Sequence, residues 1–257
     1  MTAPYLAAAR EAGLLHHLRG HAYVLGEFHD ALSGTTFPFV EHAEDGLLAD
    51  PALLEELPPG PVLLRTEGER VPDGPWTRWL TYLRLPAEPA RPETDLVCAP
   101  ARAEEEPLVA EWLWQAFLAG APEAAPDAVA GVVAAVLAAP GRHTLVARRE
   151  GRAIGHATLL PGGHDDVTGE SFVELVDSLV EAEQDRRVAT ELFVHAAWRL
   201  ARELGEPLVG NVVHHSGGQR VLDSLCRRGW RVWHSYWTST PSGVSQVSRS
   251  TPPAVSA

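Results

Sequence analysis

Three short stretches carry the residue types that chemistry needs. The first, Gln184 to Leu192 (QDRRVATEL), sets Arg186 and Arg187 side by side where loop-like residues run into an apolar-periodic helix. Guanidinium groups at a helix start have two natural uses. They fork onto phosphate oxygens, helped by unpaired N–H groups and the helix dipole, or they remain solvated. The second stretch is Phe172 to Val180 (FVELVDSLV). Read as a strand, it puts Phe172, Glu174, Val176, Ser178 and Val180 on one face and Val173, Leu175, Asp177 and Leu179 on the other, one carboxylate per face. The third is Asn211 to Gly218 (NVVHHSGG), where His214 and His215 close a strand ahead of a small-residue loop. Histidine there suits a base or a substrate-orienting role because it titrates near neutrality. The spacing supplies no third metal ligand, so no metal is expected.

The elements that position these residues follow from periodicity and punctuation. After a proline-rich break at residues 85–94, LPAEPARPET, the pattern reads β-α-α-β-β-β-α-β-α-β. It comprises a strand DLVCAPA, helices EEEPLVAEWLWQAFLAG and PDAVAGVVAAVLAAPG, two strands turned at Glu150-Gly151, the carboxylate strand, and a helix from about Val188 to Leu204 stopped by Gly205. The strand PLVGNVV, a helix stopped by Gly229 and a last strand WRVWHSYW complete it. Before the break, a helix is expected from Pro4 to Arg19, a second segment from Ala22 to Leu32, a short helix from Asp50 to Leu57, and strands PVLLRTE and WTRWLTYLRL. The chain thus divides into an α+β region over residues 1–90, a larger α/β (α+β) domain over 94–238, and a Ser/Thr/Pro-rich tail over 239–257 expected to be disordered.

Composition narrows the partners. A formal charge of −13 argues against nucleic acid and anionic membranes, and all 21 basic residues are arginine. Apolar runs are too short for a membrane span and the N-terminus lacks a signal sequence, so a soluble cytoplasmic protein is expected. The absence of lysine and the wealth of Ala, Gly and Pro fit a GC-rich bacterial gene. Cys98 and Cys226 stand far apart and suggest neither a disulfide nor a zinc site. Trp112, Trp114, Phe117 and Trp198 recur at helical positions, which points to core or groove lining.

The element order from Asp95 to Trp237 resembles the GNAT superfamily of acyl-CoA-dependent N-acyltransferases, a mixed, mostly antiparallel twisted sheet flanked by helices. The family's Q/R-x-x-G-x-G/A signature falls on QDRRVATEL, where Gln184, Val188, Ala189 and the following Thr190-Glu191-Leu192 match and Arg187 stands at the first glycine; in a second alignment Arg186-Arg187 match the arginines before that glycine, which is then deleted. That glycine lets backbone N–H groups approach the cofactor diphosphate, so its replacement leaves either a guanidinium grip or a lost cradle. The resemblance implies acetyl-CoA as donor, bound by Gln184, Asp185, Arg186, Arg187, Val188, Ala189 and Thr190 and by the strand backbone at Val176, Ser178, Leu179 and Val180. It implies attack by the amine of a small molecule or peptide on the thioester, with Glu174 as first and Asp177 as second candidate base, and His214 or His215 in support. The family's thiolate-protonating tyrosine falls on Leu225, which has no proton to give, while Ser224 and Cys226 are expected to point elsewhere. Some members carry a degenerate second copy, and residues 1–90 are open to that reading. A non-catalytic acyl-CoA-binding or regulatory protein is the alternative.

Overall fold

Helix formation at the N-terminus stops sooner than the alanine-rich sequence implies. In the computed structural model, which describes residues 3–214 and 217–239, α1 covers only Ala3–Glu11. Gly13 turns left-handed (φ 73°), and the chain then enters a hairpin of β1 (Leu15–Leu18) and β2 (His21–Asp30). Arg19 and Gly20 both take positive φ, 52° and 87°, the geometry of the tight turn that matches strand twist. The expected helix to Arg19 therefore gives way to strand pairing, because backbone groups beyond Gly13 bond across to β2 rather than four residues back.

The rest of the first half holds β3 (Thr35–Ala43), α2 (Asp45–Leu48), α3 (Ala52–Glu56), β4 (Leu63–Glu67) and β5 (Trp76–Leu85). The segment from Ala22 is strand β2, and β3 is an element that sequence periodicity did not reveal. After the proline-rich stretch come β6 (Val97–Pro100), a 3₁₀ turn at Ala103–Glu105, α4 (Glu106–Gly120), α5 (Pro126–Ala138), β7 (His143–Arg149), β8 (Arg152–Asp165) and β9 (Glu170–Val180). The chain continues through α6 (Glu183–Leu204), β10 (Leu208–Val213), α7 (Gly218–Arg227) and β11 (Arg231–Ser239). Beyond residue 94 this is the expected order. Apart from Ser239, which ends β11, the tail lies outside the described residues.

The fold is α+β, with one mixed, mostly antiparallel sheet flanked by helices. Its eleven strands run β1-β2-β3-β4-β11-β5-β10-β9-β8-β7-β6. Among the described residues only β3–β4 and β9–β10 pair in parallel. The order is nearly a palindrome, since the last strand of each half crosses over to pair with the other half's β4 or β10. Thr81 and Ser235 face each other at the centre, their hydroxyls 3.1 Å apart. Outward from this pair the strands repeat: Tyr82 faces His234 as Tyr236 faces Leu80, and each strand bulges at a tryptophan, Trp79 or Trp233.

Helices pack on both faces. On one face α6 buries Ala189, Leu192, Phe193, Ala197 and Ala201, an apolar stripe at helical spacing, against β8, β9 and β10. Gly205 ends α6 in a left-handed cap (φ 75°) that returns its N–H to the carbonyls of Ala201 and Arg202. On the opposite face α4 and α5 enclose Val109, Trp112, Leu113, Val129 and Val133 with Val146 of β7. The 3₁₀ turn is pinned there by Glu105, which accepts from Arg148 with both groups buried. Removing one member of such a pair strands a buried charge at a cost of about 3–5 kcal/mol.

A second buried ion pair ties the β8–β9 hairpin to the first half: Arg65 donates to Asp165 at 2.8 Å, and His234 lies 3.4 Å from the same guanidinium nitrogen. Burial, with Arg65 and Arg84 nearby, pushes the His234 pKa down from 6.5 to about 2.

Two outcomes are expected. A fragment starting at residue 94 lacks β5, leaving β10 and β11 without the strand that joins them; it should aggregate, and co-expression of residues 1–93 should restore solubility. Soluble monomeric fragment by size-exclusion chromatography would contradict this. Between about pH 6.5 and 2 the unfolded chain protonates His234 and the folded one does not, so stability falls as pH falls, by up to ~1.4 kcal/mol per unit from this group. Urea unfolding of His234→Gln from pH 6.5 to 4.5 should show a shallower loss than the parent protein.

Candidate active site

The parallel pair β9–β10 is short. Val173, Glu174 and Leu175 register with Leu208, Val209 and Gly210, and beyond them the strands diverge. Their facing backbone groups from Val176 and Asn211 onward are left without a neighbouring strand. A cleft of about 1560 Å³ fills this V and is lined from both sides of the sheet. Thr190 and Val194 of α6 and Arg220, Ser224 and Leu225 of α7 come from one side. Phe117 of α4, the β2–β3 turn at Asp30, Leu32 and Ser33, and Trp79 and Leu80 of β5 come from the other. The first half thus walls the cleft, a role no motif in its sequence announced.

The carboxylate strand does not alternate as expected. Opposite β8, Glu174 pairs with Leu160, Leu175 with Leu159, and Asp177 with Thr158, so Val176 is an extra, bulged residue. Inserting one residue resets the two-residue period and brings Glu174 and Asp177 to the same face. The bulge falls where β9 leaves β10, so strand divergence and carboxylate placement share one cause.

The two carboxylates differ in setting. Glu174 is half-buried, accepts from Asn211 Nδ2 at 3.1 Å and from the Tyr82 hydroxyl, and does not line the cleft. Burial raises its pKa, and those two donors only partly oppose the rise. Asp177 does line the cleft. Behind it, wholly buried His156 brings Nε2 to 3.2 Å from Asp177 Oδ2 and stacks on Trp112.

A chain of hydroxyls fixes that histidine. Glu106 holds Arg142, and Arg142 Nη1 donates to Thr144 Oγ1 at 2.7 Å. Thr144 lies 3.3 Å from Thr158 Oγ1, which lies 3.1 Å from His156 Nδ1. Arginine is the obligate donor at one end, and a chain in which each hydroxyl passes its proton forward has Nδ1 accepting and Nε2–H beside Asp177, near it but not hydrogen-bonded. His156 drew no attention in the sequence because a lone histidine inside a hydrophobic strand carries no spacing signal.

The basic stretch is also relocated. Helix α6 starts at Glu183, not near Val188, so Gln184 to Ala189 lie within the helix rather than in a loop before it. Asp185 is buried and held by Arg149 through bonds of 2.6 and 3.1 Å. Gln184 and Asp185 line a separate depression with Arg149, Arg152 and Glu181. Of the two arginines, Arg186 lines the cleft. Arg187 bonds to Glu191 one turn on, at 3.0 Å, and is not among the cleft residues. Val188 packs against the core and Ala189 is fully buried, while Thr190 reaches the cleft, as do Val176, Ser178, Leu179 and Val180.

His214 turns from the cleft toward Thr81 Oγ1, 2.9 Å away, and burial, with Arg78 nearby, lowers its pKa. His215 lies outside the described residues. Ser224, expected to point elsewhere, lines the cleft beside Leu225, while Cys226 is exposed outside it. Among the described residues no helix is long and apolar enough to cross a membrane.

No protein-family model and no curated protein sequence matches the chain. Among solved structures it is similar to a conserved protein of unknown function from Staphylococcus epidermidis, with 13% identity over 70% of this chain and 72% of that one and a TM-score of 0.46. It is similar to a ribosomal-protein-alanine N-acetyltransferase from Brucella melitensis, at 16% identity, 51% and 90% coverage and a TM-score of 0.37. It is also similar to an aminoglycoside N-acetyltransferase in complex with CoA, at 19% identity, 53% and 90% coverage and a TM-score of 0.38. With TM-scores below 0.5, these likenesses assign neither an activity nor a ligand to this chain.

The hydroxyl chain makes a prediction independent of any activity. Long-range ¹H–¹⁵N correlation near pH 7 should find His156 as the Nε2–H tautomer. A proton on Nδ1 would refute the assigned direction, and Thr158→Val should abolish the preference.

Proposed function

We propose that the protein is an acyl-CoA-dependent N-acyltransferase of the GNAT type, moving an acyl group, acetyl in the simplest case, from acyl-CoA to the amine of a small molecule or peptide. The observation that carries this reading is the divergence of β9 from β10, which opens a cleft at the end of a three-residue parallel pairing. An extended amide-bearing arm laid in that V would pair with the free backbone of Val176 to Val180 as a strand does. An N–H of this segment, aimed at the thioester oxygen, would stabilise the charge that develops when an amine attacks.

The attacking amine must be neutral, so a base has to reach it. Contact with the cleft supports Asp177 as that base, with the His156 ring 3.2 Å behind it. Glu174, linked to the cleft wall through Asn211, is the second carboxylate and suits a proton acceptor reached through water. The amine adds to the thioester carbon, the carbon–sulfur bond breaks, and the CoA thiolate leaves with the sulfur electron pair. Its proton comes from solvent, because Leu225 has none to give. Carboxylates of Asp30, Glu123 and Asp177 around the cleft favour a cationic acceptor.

Calorimetry with CoA followed by thiol release from acetyl-CoA across an amine panel tests the reading. Binding and amine-dependent release are expected, and Asp177→Asn should lower kcat/KM by roughly 10²–10⁴-fold. If Glu174 also accepts a proton, its raised pKa sets a break in the rate's pH dependence above the ordinary 4.5, and Glu174→Gln removes it. No CoA binding at millimolar concentration would reject the proposal. CoA binding without turnover on any amine would instead favour the binding or regulatory protein.

A further inference from the structure

Four arginines line the cleft. Arg220, Ser224 and Arg227 of α7 line it together with Arg228, which caps that helix. Arg186 on the first turns of α6 adds a fourth guanidinium. All four arginines are exposed, and their side chains make no ion pair or hydrogen bond among the described residues. By contrast Arg19, Arg65, Arg70, Arg84, Arg142, Arg148, Arg149, Arg187 and Arg199, none of which lines the cleft, are each paired with a carboxylate. Guanidinium groups that line one cleft and are held by no carboxylate suit an anionic ligand.

The start of α6 is less suited to an anion than its position implies. Its first turn carries Glu183 and Asp185, with Glu181 just ahead of it. Asp185 is already bound to Arg149, and no glycine lets the backbone come close. A diphosphate at the bare helix start would meet these carboxylates.

Resting on the acyl-CoA reading, we propose that the phosphates of the donor are gripped by arginine side chains, chiefly Arg220 and Arg227 of α7 and Arg228 at its end, with Arg186 of α6, in place of a backbone cradle. The ligand class is a nucleotide thioester bearing a diphosphate and a separate 3′-phosphate. Several charges spread along its length match guanidinium groups spread along a helix, and planar forks hold each phosphate through paired N–H donors.

Titration calorimetry with CoA, dephospho-CoA and inorganic diphosphate, each at low and high salt, tests the assignment. Relative to the parent protein, the triple variant Arg220→Ala/Arg227→Ala/Arg228→Ala should bind CoA at least tenfold more weakly and lose most of the salt dependence. Arg199→Ala, whose arginine bonds to Glu203 away from the cleft, should change neither quantity. A thermal melt confirms folding. Should the triple variant not fold, the single variants Arg220→Gln and Arg228→Gln carry the same comparison. Unchanged CoA affinity and salt dependence in these variants would overturn the arginine grip while leaving the acyl-CoA reading intact. If the parent protein binds no CoA, that reading fails. The arginine site then survives only if the parent binds diphosphate and the variants do not, and absence of both kinds of binding overturns it too.

Discussion

The exchange of β5 and β11 is the constraint on which the rest of the structure depends. A strand in a sheet leaves its backbone donors and acceptors unsatisfied unless both neighbours are present, and here each half obtains one neighbour only from the other. The central Thr81–Ser235 contact is therefore more than a polar bond between two hydroxyls in the interior. It marks where two similar half-sheets become one, with equivalent bulges at Trp79 and Trp233. The β5 strand carries Tyr82, which bonds to Glu174, and the bulged Trp79, which lines the cleft. The first half thus shapes the site through the strand it lends.

The two short parallel pairs are handled differently by the chain. Beyond its contact with β10, β9 is flanked by a 22-residue helix, α6, and the divergence is left open as a cleft. Between β3 and β4 only the short α2 and α3 intervene, and their leucines pack with Tyr23, Val40 and Trp237 into a closed apolar cluster. On the other face of that half, Tyr5 of α1 donates to Glu41 at 2.9 Å, and Arg65 is taken up by Asp165. Equivalent topology thus yields a cavity in one half and a charged, filled seam in the other. What differs is the length of helix available to hold the strands apart.

Polar groups at the cleft are supported from behind rather than left to solvent. Asp177 is backed by His156, His156 by Thr158, and the line runs through Thr144 to Arg142 and Glu106. The hydroxyls and Arg142 are hydrogen-bonded along this line and restrict the histidine's rotamers, while His156 Nε2 and Asp177 Oδ2 lie 3.2 Å apart without forming a hydrogen bond. Close packing reinforces it. A β-carbon on Gly155 would overlap the Leu179 carbonyl and approach Val180 Cα at 2.9 Å, so β8 and β9 come together at a distance only glycine permits.

The sequence alone determined the order of elements after residue 94, because apolar periodicity and the stops at Gly205 and Gly229 are local properties, and it marked QDRRVATEL, Glu174 and Asp177 as residues worth placing. It misread the first helix, because an alanine-rich run looks the same whether its end continues helically or turns at Gly13 into a hairpin. Tertiary structure decided the rest. The bulge at Val176 overrode the two-residue period and put both carboxylates on one face, and no pattern within FVELVDSLV encodes an insertion relative to a strand that must first pair with it. Likewise Arg186 and Arg187 are equivalent in sequence, and only the rotation of α6 against the sheet turned one to the cleft and the other to Glu191. The α7 arginines, His156 and the wall supplied by the first half were invisible for the same physical reason: they become neighbours only when strands distant in the chain satisfy each other's hydrogen bonds.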